Sequence, residues 1–484
     1  MSRLSCDVLI VGTELCGLAA GALIAQQHGG RRVVVVEDGD PTLGLPLGDR
    51  VAPAAPSLLR LPTHGAPALV LEALGLRQDA RRALGAEPGG LGIVDDPEIR
   101  MIVPVDAEAR ARELARVFPA DEGARAATRL HEVTAEGVAP LIDEAALVHE
   151  DGFFEKRRAK KRLAALGGAA QFDHLADAST IAELSIGVAL AQLVPFVQYR
   201  PDANARGLGG HLAALQLQAG AHAGAKGGLG PRAALCEMLL DIIRRHRGEV
   251  LKERLETVQA DGKHLTSVHI TGANDYAPRV VIDATSRRDL ITRLPEGRRR
   301  DKLAESEARV VHGADAAAAR WLVPIGVLPR GMPPVFLTLR PPPDHGVLIG
   351  IFAGASLKQG HKSTGIDDTS VAVVAATLCE SGAGERAAQE VSFLLDRLMP
   401  FARDLARTRD LVFGAPARAA LPSWSVVESE HLLGGRRPMT PYANLLRAGR
   451  DLVPGLGIDG ELAAARAVAT AAEAPLGRRT SEAA

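Results

Sequence analysis

The run Asp7-Val8-Leu9-Ile10-Val11, followed at once by Gly12-Thr13-Glu14-Leu15-Cys16-Gly17, constrains this chain more than any other feature. Its five strand residues read as short and buried, a glycine turn follows, and Leu18 to Gln27 supply the small and apolar residues of a helix that stops at Gly29-Gly30. A second apolar strand, Val33 to Val36, ends in Glu37, twenty-five positions after Gly12. In this β-turn-α-β layout a dinucleotide rests its pyrophosphate on the helix N-terminus and its ribose on the acid. One position departs from G-x-G-x-x-G: the second glycine is Glu14. A carboxylate held ~4 Å from a phosphate costs on the order of 4 kcal/mol at an effective dielectric of ~20. Turned to solvent, the same side chain leaves only a steric loss. A cofactor-binding unit and an empty, structurally retained one both stay open at this point.

Length and composition narrow the remaining possibilities. A chain of 484 residues has room for two or three domains of ~150 residues. With 46% apolar and 24% charged residues it is globular, and its 57 basic and 58 acidic side chains nearly cancel, so nothing electrostatic argues for nucleic acid. Only ten Phe, three Tyr and two Trp are present, which argues against base-stacking platforms and aromatic cages and leaves any pocket to Leu, Val, Ile and Ala. Cys6, Cys16, Cys236 and Cys379 form no CxxC pair, so reduced thiols are expected rather than a zinc site or a disulfide framework. Charges interrupt both apolar stretches, Asp7 and Glu14 in the first and Glu183 in Ile181 to Val197, so no membrane-spanning helix is expected. The expected location is cytoplasmic, with contact to the inner face of a membrane left open.

Further along, Ala107 to Phe118 has a helical pattern stopped by Pro119, and the whole stretch from about 66 to 219 reads as a helix-rich insertion. A second glycine loop, Lys226-Gly227-Gly228-Leu229-Gly230-Pro231, opens a helix with Leu235, Leu239, Ile242 and Ile243 on one face. Short strands follow to Asp283, including Leu255 to Val258 and Leu265 to Ile270, and the runs 335–339 and 347–352 suggest the sheet of a second domain. Near the end, Gly449-Arg450-Asp451 precedes Pro454-Gly455-Leu456-Gly457-Ile458-Asp459-Gly460-Glu461 and an Ala-rich helix, a second helix N-terminus suited to an anion.

These three stations, DVLIVGTELCGLAA, AKGGLGPRAALCEMLLDIIRRHRGEVLKERLETVQADGKHLTSV and NLLRAGRDLVPGLGIDGELAAARAVA, resemble the phytoene desaturase and amine-oxidase-like superfamily of FAD-dependent oxidoreductases. The resemblance spans nearly the whole chain and marks it as a divergent member. It implies an α/β fold: a discontinuous Rossmann-type FAD-binding domain from 1–65, 220–300 and 412–484, and an α+β substrate domain from 66–219 and 301–411. By the same resemblance Gly12, Thr13, Glu14 and Gly17 would frame the FAD pyrophosphate and Glu37 would hold the ribose. Leu255 would offer its backbone to the adenine, Asp451 would lie near the ribityl and pyrophosphate, and Gly457 and Gly460 would belong to the helix that approaches the flavin. The loop after Glu37, Gly44-Leu45-Pro46-Leu47-Gly48-Asp49-Arg50, lacks the family's glycine pair. Rab GDP-dissociation inhibitors share the fold without a flavin.

If FAD is bound, the isoalloxazine carries the redox step and the protein supplies position and electrostatics. No catalytic triad, carboxylate pair or metal cluster stands out, so the catalytic residues are unassigned. His211, His222 and Lys226 flank the middle glycine loop and read as packed or solvated residues, and Trp321, Trp424 and Tyr442 read as core. The basic run Lys156 to Arg162 behind Phe153-Phe154 suggests a peripheral membrane contact through 153–166, with a solvated helix face as the other reading. The expected activity is an FAD-dependent desaturase, saturase or isomerase acting on a hydrophobic, isoprenoid or lipid substrate. The alternatives are a flavin-free lipid- or protein-binding relative of the same fold and a nicotinamide-dependent dehydrogenase.

Overall fold

The computed structural model describes residues 3–27, 31–39, 44–59, 61, 65–84, 88–95, 99–136, 157, 161, 185–198, 208–222, 230–272, 274–285, 289–312, 314–340, 345–353, 356–357, 370–421, 424–426 and 436–477. Two large sheets organise them. The first runs Glu249–Leu251, Val33–Val36, Leu4–Val11, Tyr276–Asp283, His264–Ile270, Leu255–Asp261, with Leu445–Arg447 also paired to Tyr276–Asp283. Leu4–Val11 lies between two parallel neighbours, Val33–Val36 and Tyr276–Asp283. All four valines of Val33–Val36 are fully buried, as expected of a parallel strand covered on both faces.

The Leu15–Gln27 helix is apolar on every side because it is enclosed. It packs against the Pro231–Arg245 helix and the Gly457–Gly477 helix in one continuous core. The strands and helices of all three glycine stations thus meet around the C-terminal ends of the parallel strands. Helices Gly65–Ala73 and Leu76–Leu84 join the same core through Val70, Leu71 and Leu84.

The second sheet has the order Thr408–Phe413, Asp315–Pro324, Ser370–Cys379, Val347–Ala353, Val335–Thr338, Leu91–Asp95, Ile99–Val103. Its members Leu91–Asp95 and Ile99–Val103 are strands within the stretch from 66 to 219 that reads as helix-rich. Each is five residues long, which leaves too few positions for a period of two to stand out. One face of this sheet carries the Gly384–Leu398 helix, with Val391 and Leu395 against Trp321 and Val373. The other face carries Ala107–Val117, capped by an Asp106 Oδ1 that accepts from the Ala109 N–H at 2.7 Å, together with Ala120–Glu136, Ser185–Val197 and Leu208–Ala219.

A buried arginine ties the Leu45–Leu47 and Arg50–Ala52 hairpin to the second sheet. Arg320 donates to the carbonyls of Leu45 at 3.2 Å and Pro46 at 2.8 Å and pairs with Asp410. The C-terminal helix runs from Gly457 to Gly477. Apart from the exposed Arg157 and Lys161, the segment 153–166 lies outside the described residues, as do Lys226 and the glycines before Gly230 in the middle loop. No helix among the described residues is long and apolar enough to cross a membrane.

Candidate functional site

Three helix N-termini converge beside the first sheet. Glu14 directly precedes the Leu15–Gln27 helix, Arg232 is the second residue of Pro231–Arg245, and Glu461 lies one turn into Gly457–Gly477. Each N-terminus presents unpaired N–H groups and about half a positive charge, so the space between them favours an anion. The protein supplies that anion itself. Glu14 and Glu461 have carboxylates at 4% and 0% exposure, and Arg232 bridges them. The Arg232 guanidinium donates to Glu14 Oε2 at 2.7 Å and engages both carboxylate oxygens of Glu461. Arg450 completes the cluster, with Nε at 2.9 Å from Glu14 Oε2 and Nη1 donating to the Ala419 carbonyl at 2.6 Å.

Two carboxylates and two guanidiniums therefore balance, all of them out of water. Such a cluster persists only where each charge is matched, because an isolated buried ion is several kcal/mol uphill. It also joins the stations: Glu14 comes from the first, Arg232 from the middle, and Arg450 and Glu461 from the last. The option of a Glu14 side chain turned to solvent does not hold, since Glu14 is 3% exposed.

The expected cofactor residues divide into two groups. Gly12, Thr13, Glu14, Gly17, Asp451, Gly457 and Gly460 gather around this cluster; Glu37 follows Val36, whose carbonyl accepts from the Gly12 N–H at 2.8 Å, and Leu255 lies beside Asp38. Gly12 has φ +92°, and a Cβ there would run into the Ala284 carbonyl; a Cβ at Gly17 would meet the Ala284 side chain. Gly457, at φ +54°, fits against the Val197 carbonyl, and Gly460 against that of Val453. These four glycines make room for the chain's own backbone and side chains. Gln198 further closes the approach to the last helix by donating to the Gly455 carbonyl at 2.6 Å. Thr13 is buried, and its carbonyl lies 3.8 Å from the Cys236 thiol. Asp451, also buried, faces Arg436 at 3.4 Å, and Arg436 and Arg447 both bind Glu307.

The Leu255 N–H donates to Asp38 Oδ1 at 2.9 Å, so this donor is not free for an adenine. Asp38 is in turn held by Arg293 through both oxygens at 2.8 Å. Glu37 remains half-buried, and desolvation pushes its carboxyl above the ordinary range against the opposing pull of Lys252. Of the histidines before the middle loop, His222 is buried with Nδ1 3.1 Å from the Leu84 carbonyl, and burial lowers its pKa, so it is a neutral packing residue. The His211 side chain lies outside the described residues. Trp321 and Tyr442 are buried as expected.

Arg232, Arg450 and Glu461 were not among the residues the sequence singled out. Their signal is positional: each follows a glycine of its own station, in Gly230-Pro231-Arg232, Gly449-Arg450 and Gly460-Glu461, where close approach to a bound group calls for small residues. A pyrophosphate between these helix N-termini would compete with a carboxylate held between two arginines.

Comparison with known proteins supports the fold. Neither protein-family models nor curated proteins match the chain. Among solved structures, an oxidoreductase from Methanosarcina mazei is similar at 10% identity and a TM-score of 0.57, covering 96% of this chain and 99% of its own. Putrescine oxidase is similar at 15% identity and a TM-score of 0.50, over 98% of this chain and 99% of its own. A Rab GDI from Plasmodium falciparum is similar at 8% identity and a TM-score of 0.50, over 96% and 98%. The chain has the fold that these proteins share, a Rossmann-type α/β unit joined to a second sheet.

Proposed function

We propose that this chain is a flavin-free binding protein built on an oxidoreductase fold, holding an apolar small molecule or a protein partner without turning over a flavin. The observation that carries the proposal is the buried Glu14–Arg232–Glu461–Arg450 cluster, which meets from within the demand of three helix N-termini for an anion. A pyrophosphate entering the cradle would have to expel Glu14 from two arginines. If the displaced Glu14 carboxylate stays buried without a partner, that costs about 3–5 kcal/mol. A nicotinamide dinucleotide meets the same obstacle, since it needs the same cradle.

The similarity of the fold to an oxidoreductase and to putrescine oxidase keeps an FAD-dependent oxidoreductase as the second reading, and Glu37 favours it. This half-buried acid at the end of Val33–Val36 makes no side-chain hydrogen bond among the described residues, which suits an acceptor for a ribose. The visible spectrum separates the two. The protein as purified, and again after incubation with excess FAD and gel filtration, is expected to show no flavin bands. Stoichiometric flavin after either step would overturn the proposal and leave the oxidoreductase reading.

A further inference from the structure

Away from the cradle, the second sheet carries a groove of about 620 Å³ between its Ile99–Val103 edge, the loop before Val335 and the end of the Gly384–Leu398 helix. Its size falls within the roughly 300–1,000 Å³ typical of small-molecule clefts. The floor is apolar: Phe336, buried in the packed sheet, and the partly exposed Ile102 share its face, while Ile93 and Met101 belong to the core on the opposite face. Val94, Met332 and Leu398 form half-buried walls.

The polar groups around this floor are biased. Glu113 and Arg116 close on each other through two hydrogen bonds of 2.6 and 2.8 Å, which neutralises that pair. Arg330 is exposed and makes no ion pair or hydrogen bond among the described residues. An aliphatic floor beside an uncommitted guanidinium suits a long chain with a carboxylate at one end. A neutral hydrocarbon would leave the arginine unused, and a cationic amphiphile would be repelled.

We infer that this groove binds a long-chain fatty acid, with the chain over Ile102, Phe336 and Leu398 and the carboxylate on Arg330. The inference deepens the binding-protein reading but stands on a separate surface. Displacement of a fluorescent fatty acid from the full chain by palmitate, octanoate and hexadecanol tests it. Palmitate is expected to compete best, with hexadecanol weaker by about tenfold for want of the charge-assisted hydrogen bond. Arg330→Glu, at an exposed position that leaves folding intact, is expected to weaken palmitate about tenfold and hexadecanol little; Met332→Trp is expected to block both.

Equal affinity for palmitate and hexadecanol, an Arg330→Glu variant that binds like wild type, or no displaceable binding at all would overturn the assignment. So would a dimer that forms through this face and is not dissolved by palmitate, which would give the groove to a second copy of the chain. A protein that retained FAD yet bound palmitate as described would sink the flavin-free reading and leave this one standing.

Discussion

Glu14→Gln is the most informative single change, because it keeps shape and hydrogen-bonding reach while removing one charge. The buried cluster of Glu14, Arg232, Glu461 and Arg450 then carries a net charge of +1 where it was neutral. With charge centres ~4 Å apart and an effective dielectric of ~20, each of the two ion pairs of Glu14 is worth about 4 kcal/mol before desolvation. Stranding a buried charge typically loses about 3–5 kcal/mol net. Arg232 keeps Glu461 and Arg450 keeps the Ala419 carbonyl, so the lower end, about 3 kcal/mol, is expected. The assay is urea unfolding, with the loss read from the midpoint shift at constant slope. Arg450→Met completes a double-mutant cycle, and the two changes together are expected to cost less than their sum by about 1–3 kcal/mol. A Glu14→Gln loss below about 1 kcal/mol, the range of an exposed surface pair, would refute the burial of this cluster.

Arg320→Met should lower stability by about 3 kcal/mol in the same assay and loosen the 45–52 hairpin, because Asp410 and three backbone carbonyls lose a buried donor; unchanged proteolysis of the hairpin would count against it. His222 has a pKa lowered by burial, so its unfolded form takes up a proton first as pH falls below about 6.5 and stability drops through that window. His222→Phe should flatten this acid limb, and an unaltered pH profile of the melting temperature would contradict the assignment. Cys6 and Cys236 are pushed up to about 12 by desolvation, and Cys16 well above its usual value, so a thiol reagent at neutral pH should leave them untouched in the native protein and titrate all four cysteines after unfolding. Cys379, half-buried and raised to about 11 by desolvation, should react slowly, and rapid native labelling of Cys6, Cys16 or Cys236 would show the core around the cradle to be open.

Much of the first sheet was legible because its strands are uniform apolar runs next to glycine turns, as in Asp7 to Gly12 and Val33 to Glu37. The Pro231–Arg245 helix announced itself through the spacing of Leu235, Leu239, Ile242 and Ile243. Leu91–Asp95 and Ile99–Val103 did not, since a five-residue strand beside long helices carries too short a pattern, and their pairing partner Val335–Thr338 lies far along the chain. The cradle was half legible. Glu14 could be flagged from a broken glycine motif, but its fate depends on Arg232 and Arg450, 218 and 436 positions away. No periodicity connects such residues; only the fold brings them together. The low aromatic content, by contrast, holds at the groove on the second sheet, where Phe336 and Phe401 are the aromatic side chains and the remaining apolar lining is aliphatic.

A crystal structure of the protein grown from a solution saturated with FAD tests the central claim most directly. The account predicts Glu14 Oε2 within hydrogen-bond distance of both Arg232 and Arg450, and no flavin between the three helix N-termini. A pyrophosphate bound between those two arginines, with the Glu14 side chain swung away, would contradict it.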